Sequence, residues 1–319
     1  MLVRFWGTRG SIPVAATSEA IQRKLVAALV KAAGRGLDTP EKAQAFVERG
    51  LDFAVGHTFG GNSSCVEIET GTGEYVLCDL GSGVRPFGVR LLARQGPARP
   101  NTFHVFMSHV HWDHIMGFPF FTPAYIPGNR IRIYGGHAEL EQAFRRQHGA
   151  PSFPVEFAKL GASIEFVCLA PGRVHEIAGL RVTLKRQRHT GDSYGYRFER
   201  EGVRLVYSTD SEHKLDDPDE AQAFVEFFRD ADLVIFDAQY SLAEAVSVKE
   251  DWGHSSNIVG VELAQMARVR HLCLFHHEPI LEDEQIASML QETRRLEEIT
   301  RGEHRVEISA AYDGMEIVL

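Results

Sequence analysis

The stretch Ser108-His-Val-His-Trp-Asp-His114 decides the fold prediction, because it puts three imidazoles and one carboxylate within six positions. It follows Phe103-His-Val-Phe-Met107, a short apolar run that predicts a buried strand. The first two histidines face the same side of a strand, and a turn is needed to bring the aspartate and the last histidine to a second point nearby. Imidazole together with carboxylate suits zinc best, with manganese, iron or cobalt as alternatives. We therefore predict a metal site at the end of this strand, with candidate ligands His109, His111, Asp113 and His114.

Further polar side chains stand at the ends of predicted strands or beside glycine turns. They are Asp79 in Leu77-Cys-Asp-Leu-Gly-Ser-Gly83, His189 ahead of Gly195-Tyr-Arg197, Asp210 in Tyr207-Ser-Thr-Asp210, Asp237 after Leu233-Val-Ile-Phe236, His254 in Gly253-His-Ser-Ser256, and His276 in Leu274-Phe-His-His277. A carboxylate at a strand end can reach two cations at once, which makes Asp210 a candidate bridge. His276 and His277 point in opposite directions along a strand, so only one of them is expected to be a ligand.

Together these motifs resemble the signature of the metallo-β-lactamase superfamily, and they extend over almost the whole chain. The Gly-Tyr-Arg and Gly-His-Ser elements resemble its phosphodiesterase branch, which holds ribonuclease Z and small cyclic-phosphodiester hydrolases. The resemblance implies the αββα fold, an α/β sandwich of two sheets flanked by helices, with the metal site along one edge. We expect a single domain over residues 1–319, with a helical hairpin inserted at about 17–50.

The resemblance also implies a set of ligands for two divalent metal ions, zinc first and Mn²⁺ or Fe²⁺ as alternatives. One ion would be held by His109, His111, His189 and Asp210, and the other by Asp113, His114, His276 and the shared Asp210. Asp113 is counted among the catalytic residues as well. Asp79 is expected to brace the metal loops by hydrogen bonding without being a ligand, since ligating imidazoles need such acceptors.

The implied chemistry is hydrolysis by a hydroxide held between the two metals. Two dications about 3.5 to 4 Å apart can also bind a phosphoryl oxygen and so stabilise an in-line displacement. The leaving oxygen needs a proton, and His254 is the candidate general acid. Asp237 is expected to orient it, as the matching acidic residue does in the ribonuclease Z branch. The alternative for His254 is a histidine at a helix start, bonded to its own backbone.

A small phosphodiester, such as a 3',5'- or 2',3'-cyclic nucleotide, is the predicted substrate. The transfer-RNA-processing enzymes carry a long arm between the residues that match His189 and Asp210, whereas only twenty residues separate the two in this chain. The net charge of -9 also opposes binding of a large nucleic acid, which depends on cationic contacts to phosphate. Both observations disfavour a folded RNA.

Three alternatives to this function are kept. The first is a ribonuclease Z-like nuclease. The second is hydrolysis of a lactone, thioester or other carboxylic ester, against which the Gly-His-Ser element argues, because a thiolate needs a proton donor less than an alkoxide does. The third is a di-iron redox module, but iron members of the superfamily often have glutamate where this chain has His111, and they need a flavin domain.

The bulk composition predicts a soluble, cytoplasmic protein. Hydrophobic residues make up 44% of the chain, and no stretch reaches the roughly 18 to 20 apolar residues that cross a bilayer. The N-terminus reads as a first strand and lacks the pattern of a targeting peptide. Each of the four cysteines lies in an apolar run, and we expect them to be buried small side chains: Cys65, Cys78, Cys168 and Cys273.

Two segments have more than one interpretation. Helices are predicted at about 18–33 and 40–49, the first with Ile21, Leu25 and Leu29 on one face. This hairpin either packs on the domain edge or forms a lid or a homodimer contact near the active site. The aromatic stretch with Phe120, Phe121 and Tyr125 belongs to the core or forms a wall that stacks a base.

Overall fold

The computed structural model describes residues 1–214, 217–240 and 252–319, and within them two seven-stranded sheets face each other. In spatial order the first sheet contains β14 (Glu316–Val318), β1 (Leu2–Gly7), β2 (Cys65–Glu69), β3 (Tyr75–Cys78), β4 (Thr102–Phe106), β5 (Arg130–Gly135) and β6 (Ser163–Cys168). The second contains β13 (Glu307–Ala310), β12 (His271–Phe275), β11 (Leu233–Asp237), β10 (Val203–Ser208), β9 (Ser193–Arg200), β8 (Leu180–Gln187) and β7 (Val174–Ile177).

Helices occupy the outer sides of this sandwich and the insertion near the N-terminus. They are α1 (Ser18–Ala32), α2 (Pro40–Gly50), α3 (Phe53–Gly56), α4 (Val84–Gln95), α5 (Trp112–Ile115), α6 (Leu140–Gln147), α7 (Pro218–Phe228), α8 (Asn257–Met266) and α9 (Asp283–Thr300). Helix α4 packs its apolar side on the first sheet, and α7, α8 and α9 pack on the second. The order of layers is helix, sheet, sheet, helix, which confirms the predicted αββα sandwich.

The core between the sheets is held by aromatic and aliphatic side chains that alternate along the strands. Phe106 of the first sheet is fully buried, and its ring lies 5.4 Å from that of Tyr196 and 5.1 Å from that of Phe198 in the second sheet, measured between centroids. These contacts join the sheets directly behind the loop that carries the histidine motif. They fix one end of the candidate site.

Strand direction explains how distant parts of the sequence meet. Strands β3 to β6 run parallel to one another in the first sheet, and β10 to β13 do so in the second. Because the carboxyl ends of parallel strands meet at one edge of a sheet, the residues after β3, β4, β10, β11 and β12 are brought to the same edge of the sandwich. Those residues include most of the predicted site.

Some details differ from the sequence predictions. Helix α4 was not predicted, because Pro86 and Gly88 obscure its apolar period, although a proline is tolerated in a first turn whose N–H groups lack helical partners. Cys168 is exposed and not buried, since it ends the edge strand β6, whereas the other three cysteines are buried. Phe121 lies in the core against Phe87 and Phe103, so it does not belong to a base-stacking wall.

Helices α1 and α2 lie within two residues of their predicted limits. Each begins at a threonine whose hydroxyl accepts a hydrogen bond from the first turn, Thr17 from the N–H of Ala20 and Thr39 from that of Lys42. None of the helices in the described part of the chain combines the length and apolar character that a bilayer crossing requires.

Candidate metal centre

The predicted site residues converge at the strand-end edge of the sandwich. The loop after β4 carries His109 and His111, and the one-turn helix α5 carries Asp113 and His114. Asp210 follows β10, His276 follows β12, and His189 lies in the turn between β8 and β9.

Three of the residues at strand ends have left-handed backbone conformations. The φ angles are +59° at Asp79, +49° at Asp210 and +61° at His276. Side chains other than glycine adopt this region rarely, and such residues cluster at functional sites. The sharp turn at each position aims the side chain across the edge of the sheet, an arrangement that period-two alternation alone does not predict.

Four side chains form a buried cluster with the spacing of a tetrahedral metal site. His114 Nε2 lies 3.2 Å from an Asp113 oxygen and 3.3 Å from an Asp210 oxygen, and His276 Nε2 lies 3.3 Å from an oxygen of each carboxylate. The two Nε2 atoms are 3.3 Å apart. Ligands about 2.0 to 2.1 Å from a tetrahedral zinc ion lie about 3.3 Å from one another, so these donors fit zinc.

A second cluster stands on the other side of Asp210. His189 Nε2 is 3.1 Å from His111 Nδ1, and the Nε2 atoms of His109 and His189 are 3.7 and 3.8 Å from Asp210 Oδ2. His109 Nε2 is buried and has no hydrogen-bond partner in the described part of the chain. A buried polar atom without a partner is costly, and a cation at this cluster would satisfy it. Asp210 therefore lies between two sets of donors.

The charges of the site favour a cation. Burial lowers the pKa of His109, His111 and His189, so these imidazoles are neutral and keep a lone pair for a metal. Burial acts in the same direction on His114, but the carboxylates around it, with Asp210 first, raise its pKa well above the usual value.

The two carboxylates of the site remain ionised in spite of their surroundings. Burial opposes the charged form of Asp113 and of Asp210, yet the histidines nearby, His114 first, hold the pKa of each well below its usual value. A divalent metal requires ionised carboxylates and imidazole nitrogens free of a proton, so a metal bound here would take the place of the proton on His114.

Asp79 braces the cluster and does not join it. Its Oδ2 accepts hydrogen bonds of 2.7 Å from His114 Nδ1, from the hydroxyl of Ser108 and from that of Tyr207, while its Oδ1 accepts one from the N–H of Ser108. The bond to Nδ1 leaves Nε2 of His114 as the nitrogen that faces the cluster. In the same way, His189 Nδ1 donates to the carbonyl of Gly253 at 2.8 Å.

His254 lies against both clusters and is bound to a carboxylate. Its Nδ1 donates to Asp237 Oδ2 at 2.8 Å, so the alternative of a bond to its own backbone is not what the structure contains. Its ring centroid is 5.0 Å from that of His189 and 5.2 Å from that of His276. Burial opposes the charged form, but Asp237 more than offsets this and raises the pKa of His254 to about 9.

His276 and His277 point in opposite directions, as strand alternation predicts. His276 joins the four-residue cluster, whereas His277 Nε2 donates to the carbonyl of Ala311 at 2.8 Å and its ring packs against Phe59. Burial lowers the pKa of His277 to about 3. His277 is therefore a neutral core residue outside the cluster.

Sequence reasoning missed the groups that hold the acidic side chains. Thr209 donates its hydroxyl hydrogen to Asp210 Oδ1 at 2.6 Å, and its place beside Asp210 in the sequence was a usable signal. Tyr207 gave no such signal, because its bond to Asp79 joins residues 128 positions apart.

Comparison with known proteins decides the family. Residues 75–277 match the family model described as the beta-lactamase superfamily domain. The chain belongs to this superfamily. A ribonuclease Z of Bradyrhizobium diazoefficiens is 23% identical over 263 residues, which cover 67% of this chain and 83% of that protein.

Solved structures of low sequence identity share the fold. The metallo-β-lactamase fold protein YhfI from Bacillus subtilis has a TM-score of 0.65 at 16% identity. The alignment covers 99% of this chain and 98% of the YhfI chain. A diphosphatase from the PhnP family has a TM-score of 0.59 at 19% identity. The alignment covers 100% of this chain and 97% of the diphosphatase chain. The predicted superfamily is confirmed. The fold implies divalent metal ions, for which the two clusters supply the donors.

The shared position of Asp210 leads to a test of the ligand set. In Asp210→Ala, both clusters lose a donor, so protein loaded with zinc and then dialysed should keep close to no metal. In the matched variant His111→Ala, only one cluster is changed, and about one ion per chain should remain. Elemental analysis of the dialysed proteins measures both ratios. If Asp210→Ala kept as much metal as the unaltered chain, the bridging assignment would be wrong.

The bracing role of Asp79 leads to a second test. Asp79→Asn removes the charge that orients His114, and metal affinity should fall about 10- to 100-fold, as is typical for such partners. Tyr207→Phe is the control, because it removes one hydrogen bond to the same carboxylate and keeps the charge. Competition with a chromophoric chelator gives both affinities. Equal affinities for Asp79→Asn and the unaltered chain would contradict the role.

Proposed function

We propose that this chain is a dinuclear metal-dependent phosphodiesterase that hydrolyses a small phosphodiester such as a cyclic nucleotide, with zinc as the preferred metal. The observation that carries the proposal is the His254 and Asp237 pair beside the two donor clusters. A proton donor in this place suits a reaction whose leaving group is a poor one, and the alkoxide released from a phosphodiester is such a group.

Bound divalent ions supply this site with a water molecule of lowered pKa and with positive charge for the phosphoryl oxygens. The chain's own residues position the proton. Asp237 Oδ2 binds His254 Nδ1, which leaves Nε2 as the nitrogen that transfers a proton to the leaving oxygen. Asp237 is itself held, because it accepts hydrogen bonds from the N–H groups of Ser211 at 3.2 Å and Gln239 at 3.1 Å. Asp113 joins these reacting groups, since its carboxylate lies between His114 and His276.

The interval between His189 and Asp210 supports a small substrate. Strands β9 and β10 with their turns occupy almost all of it, so no protruding arm leaves the sandwich at this point. Two exposed tryptophans adjoin site residues in the sequence: Trp112, 83% exposed, follows His111, and Trp252, 58% exposed, precedes Gly253. Exposed aromatic rings beside a phosphate site are suited to stack a nucleobase.

Ribonuclease Z-like nuclease action is the second candidate. It is favoured by the ribonuclease Z relative, which aligns over two thirds of the chain. The net charge of -9 argues against it, because affinity for a long nucleic acid depends on cationic contacts. The cytoplasmic location and the small-molecule partner stay predictions.

The general-acid role of His254 predicts a dependence on the leaving group. His254→Ala should keep both metals but lower kcat for a cyclic nucleotide by about 10² to 10⁴, the usual contribution of a positioned acid. For bis(p-nitrophenyl) phosphate, whose leaving group needs no proton, the loss should be below about tenfold. Steady-state rates of the metal-loaded proteins measure the two ratios. A uniform loss across both substrates would refute the general-acid role.

A further inference from the structure

Helix α1 faces the protein with its small and charged side chains. This described helix has no buried residue. Its half-buried residues are Ala20, Lys24, Ala27, Ala28 and Ala32. A surface helix normally turns its large apolar side chains toward the core. The orientation of α1 is therefore the reverse of the usual one.

Ion pairs hold α1 in this orientation. Lys24 pairs with Asp283 in the first turn of α9 and donates to the carbonyl of His57 at 2.7 Å. Arg23 pairs with Glu282, and Lys31 pairs with Asp52 just before α3. The cations of the helix thus form their ion pairs on the protein side, and the large apolar residues of the helix are not what holds it in place.

The opposite side of α1 is an exposed apolar face, formed by Ile21, Leu25, Val26, Leu29 and Val30. Their exposed fractions run from 49% to 71%. At 100° per residue they cover about half of the circumference of the helix. A contiguous exposed apolar patch of this kind marks an interaction site.

We propose that this face is the contact between two copies of this chain, with α1 packed antiparallel on the partner's α1 about a twofold axis. Four of the five large side chains, at positions 21, 25, 26 and 30, are spaced symmetrically about the midpoint between Leu25 and Val26, whereas Leu29 has Gln22 as its counterpart. A twofold axis there sets Leu25 at the level of the partner's Val26 and Ile21 at the level of the partner's Val30, and each central residue lies about 1.5 Å along the helix from the level of its own copy. In such an isologous dimer the same face of both copies forms the contact, and every pair of contacting residues occurs twice.

The area of the face suits a dimer. The five side chains present roughly 550 Å² of surface, and two copies together bury about 1,100 Å², close to the lower limit of specific protein interfaces. The helix side chains nearest the axis are uncharged, so no like charges meet there although each copy carries a net charge of -9.

A second copy is favoured over a lipid surface. Helices that lie on membranes usually present free lysine and arginine to anionic lipids. In α1 these side chains are paired with carboxylates, and the net charge of the chain repels an anionic bilayer. The homodimer does not depend on the metal site, so it can be tested apart from the proposed activity.

Sedimentation velocity at micromolar concentration gives the first test. The unaltered chain should sediment as a dimer, and Leu29→Glu should sediment as a monomer, because the new charge would be buried at the interface. Val89→Glu is the matched control, since Val89 is a similarly exposed aliphatic residue on α4, and it should remain dimeric. An unaltered chain that is monomeric, or a Leu29→Glu variant that stays dimeric with a native circular dichroism spectrum, would overturn the proposal.

Cysteine cross-linking tests the antiparallel arrangement. In a Cys168→Ser background, which removes the exposed native thiol, Val26→Cys should form a dimer-spanning disulfide on mild oxidation. Val30→Cys should not, because the two copies of residue 30 lie more than about 10 Å apart along the axis at 1.5 Å per residue, beyond disulfide reach. Efficient cross-linking of Val30→Cys with none for Val26→Cys would contradict the twofold at the midpoint.

Co-sedimentation of a monomeric chain with phosphatidylglycerol vesicles would assign the face to a membrane and overturn the dimer.

Discussion

The Asp210 carboxylate is the constraint on which the arrangement of the site depends. It stands at the end of β10 in a left-handed conformation, with the hydroxyl of Thr209 bound to one oxygen and imidazoles of both clusters around it. A single side chain that serves two donor sets requires β4, β10, β12 and the turn after β8 to end at the same edge. The two parallel strand sets provide that common edge, and the interlocked aromatic core between the sheets holds the edge in place.

Buried charge explains much of the surrounding structure. Ionised carboxylates are costly inside a protein unless they are paired and hydrogen-bonded, and each acidic residue of the site has such partners. Asp79 receives four hydrogen bonds, and Asp237 receives two main-chain bonds besides that of His254. These fixed acceptors orient the histidines in turn. This hydrogen-bond network fixes the positions of the side chains of the site, as the preorganisation of electrostatic catalysis requires.

Local signals made the candidate ligand residues predictable, whereas contacts distant in sequence were not predictable. The histidine motif and the strand-end position of Asp210 follow from spacing. Alternation predicts only that one of His276 and His277 is a ligand, and the family resemblance favours His276. The structure brings these candidate residues together. The contact between Tyr207 and Asp79, by contrast, depends on how the two sheets face each other. The apolar period of α1 predicted a helix with one apolar face but not its direction, because periodicity does not say whether that face meets the core or another molecule. The ion pairs of Lys24 and Lys31 with Asp283 and Asp52 decide it.

The most direct test of the central claim is turnover by zinc- or manganese-loaded protein of a panel of 3',5'- and 2',3'-cyclic nucleotides, with a precursor transfer RNA, a lactone and a thioester alongside. The account predicts hydrolysis of at least one cyclic nucleotide, lost in His111→Ala and without comparable activity on the other substrates. Cleavage of the precursor RNA alone would make the chain a nuclease. Activity confined to the lactone or thioester would contradict the account, since the enzyme would then act on a carbonyl carbon and not on a phosphodiester.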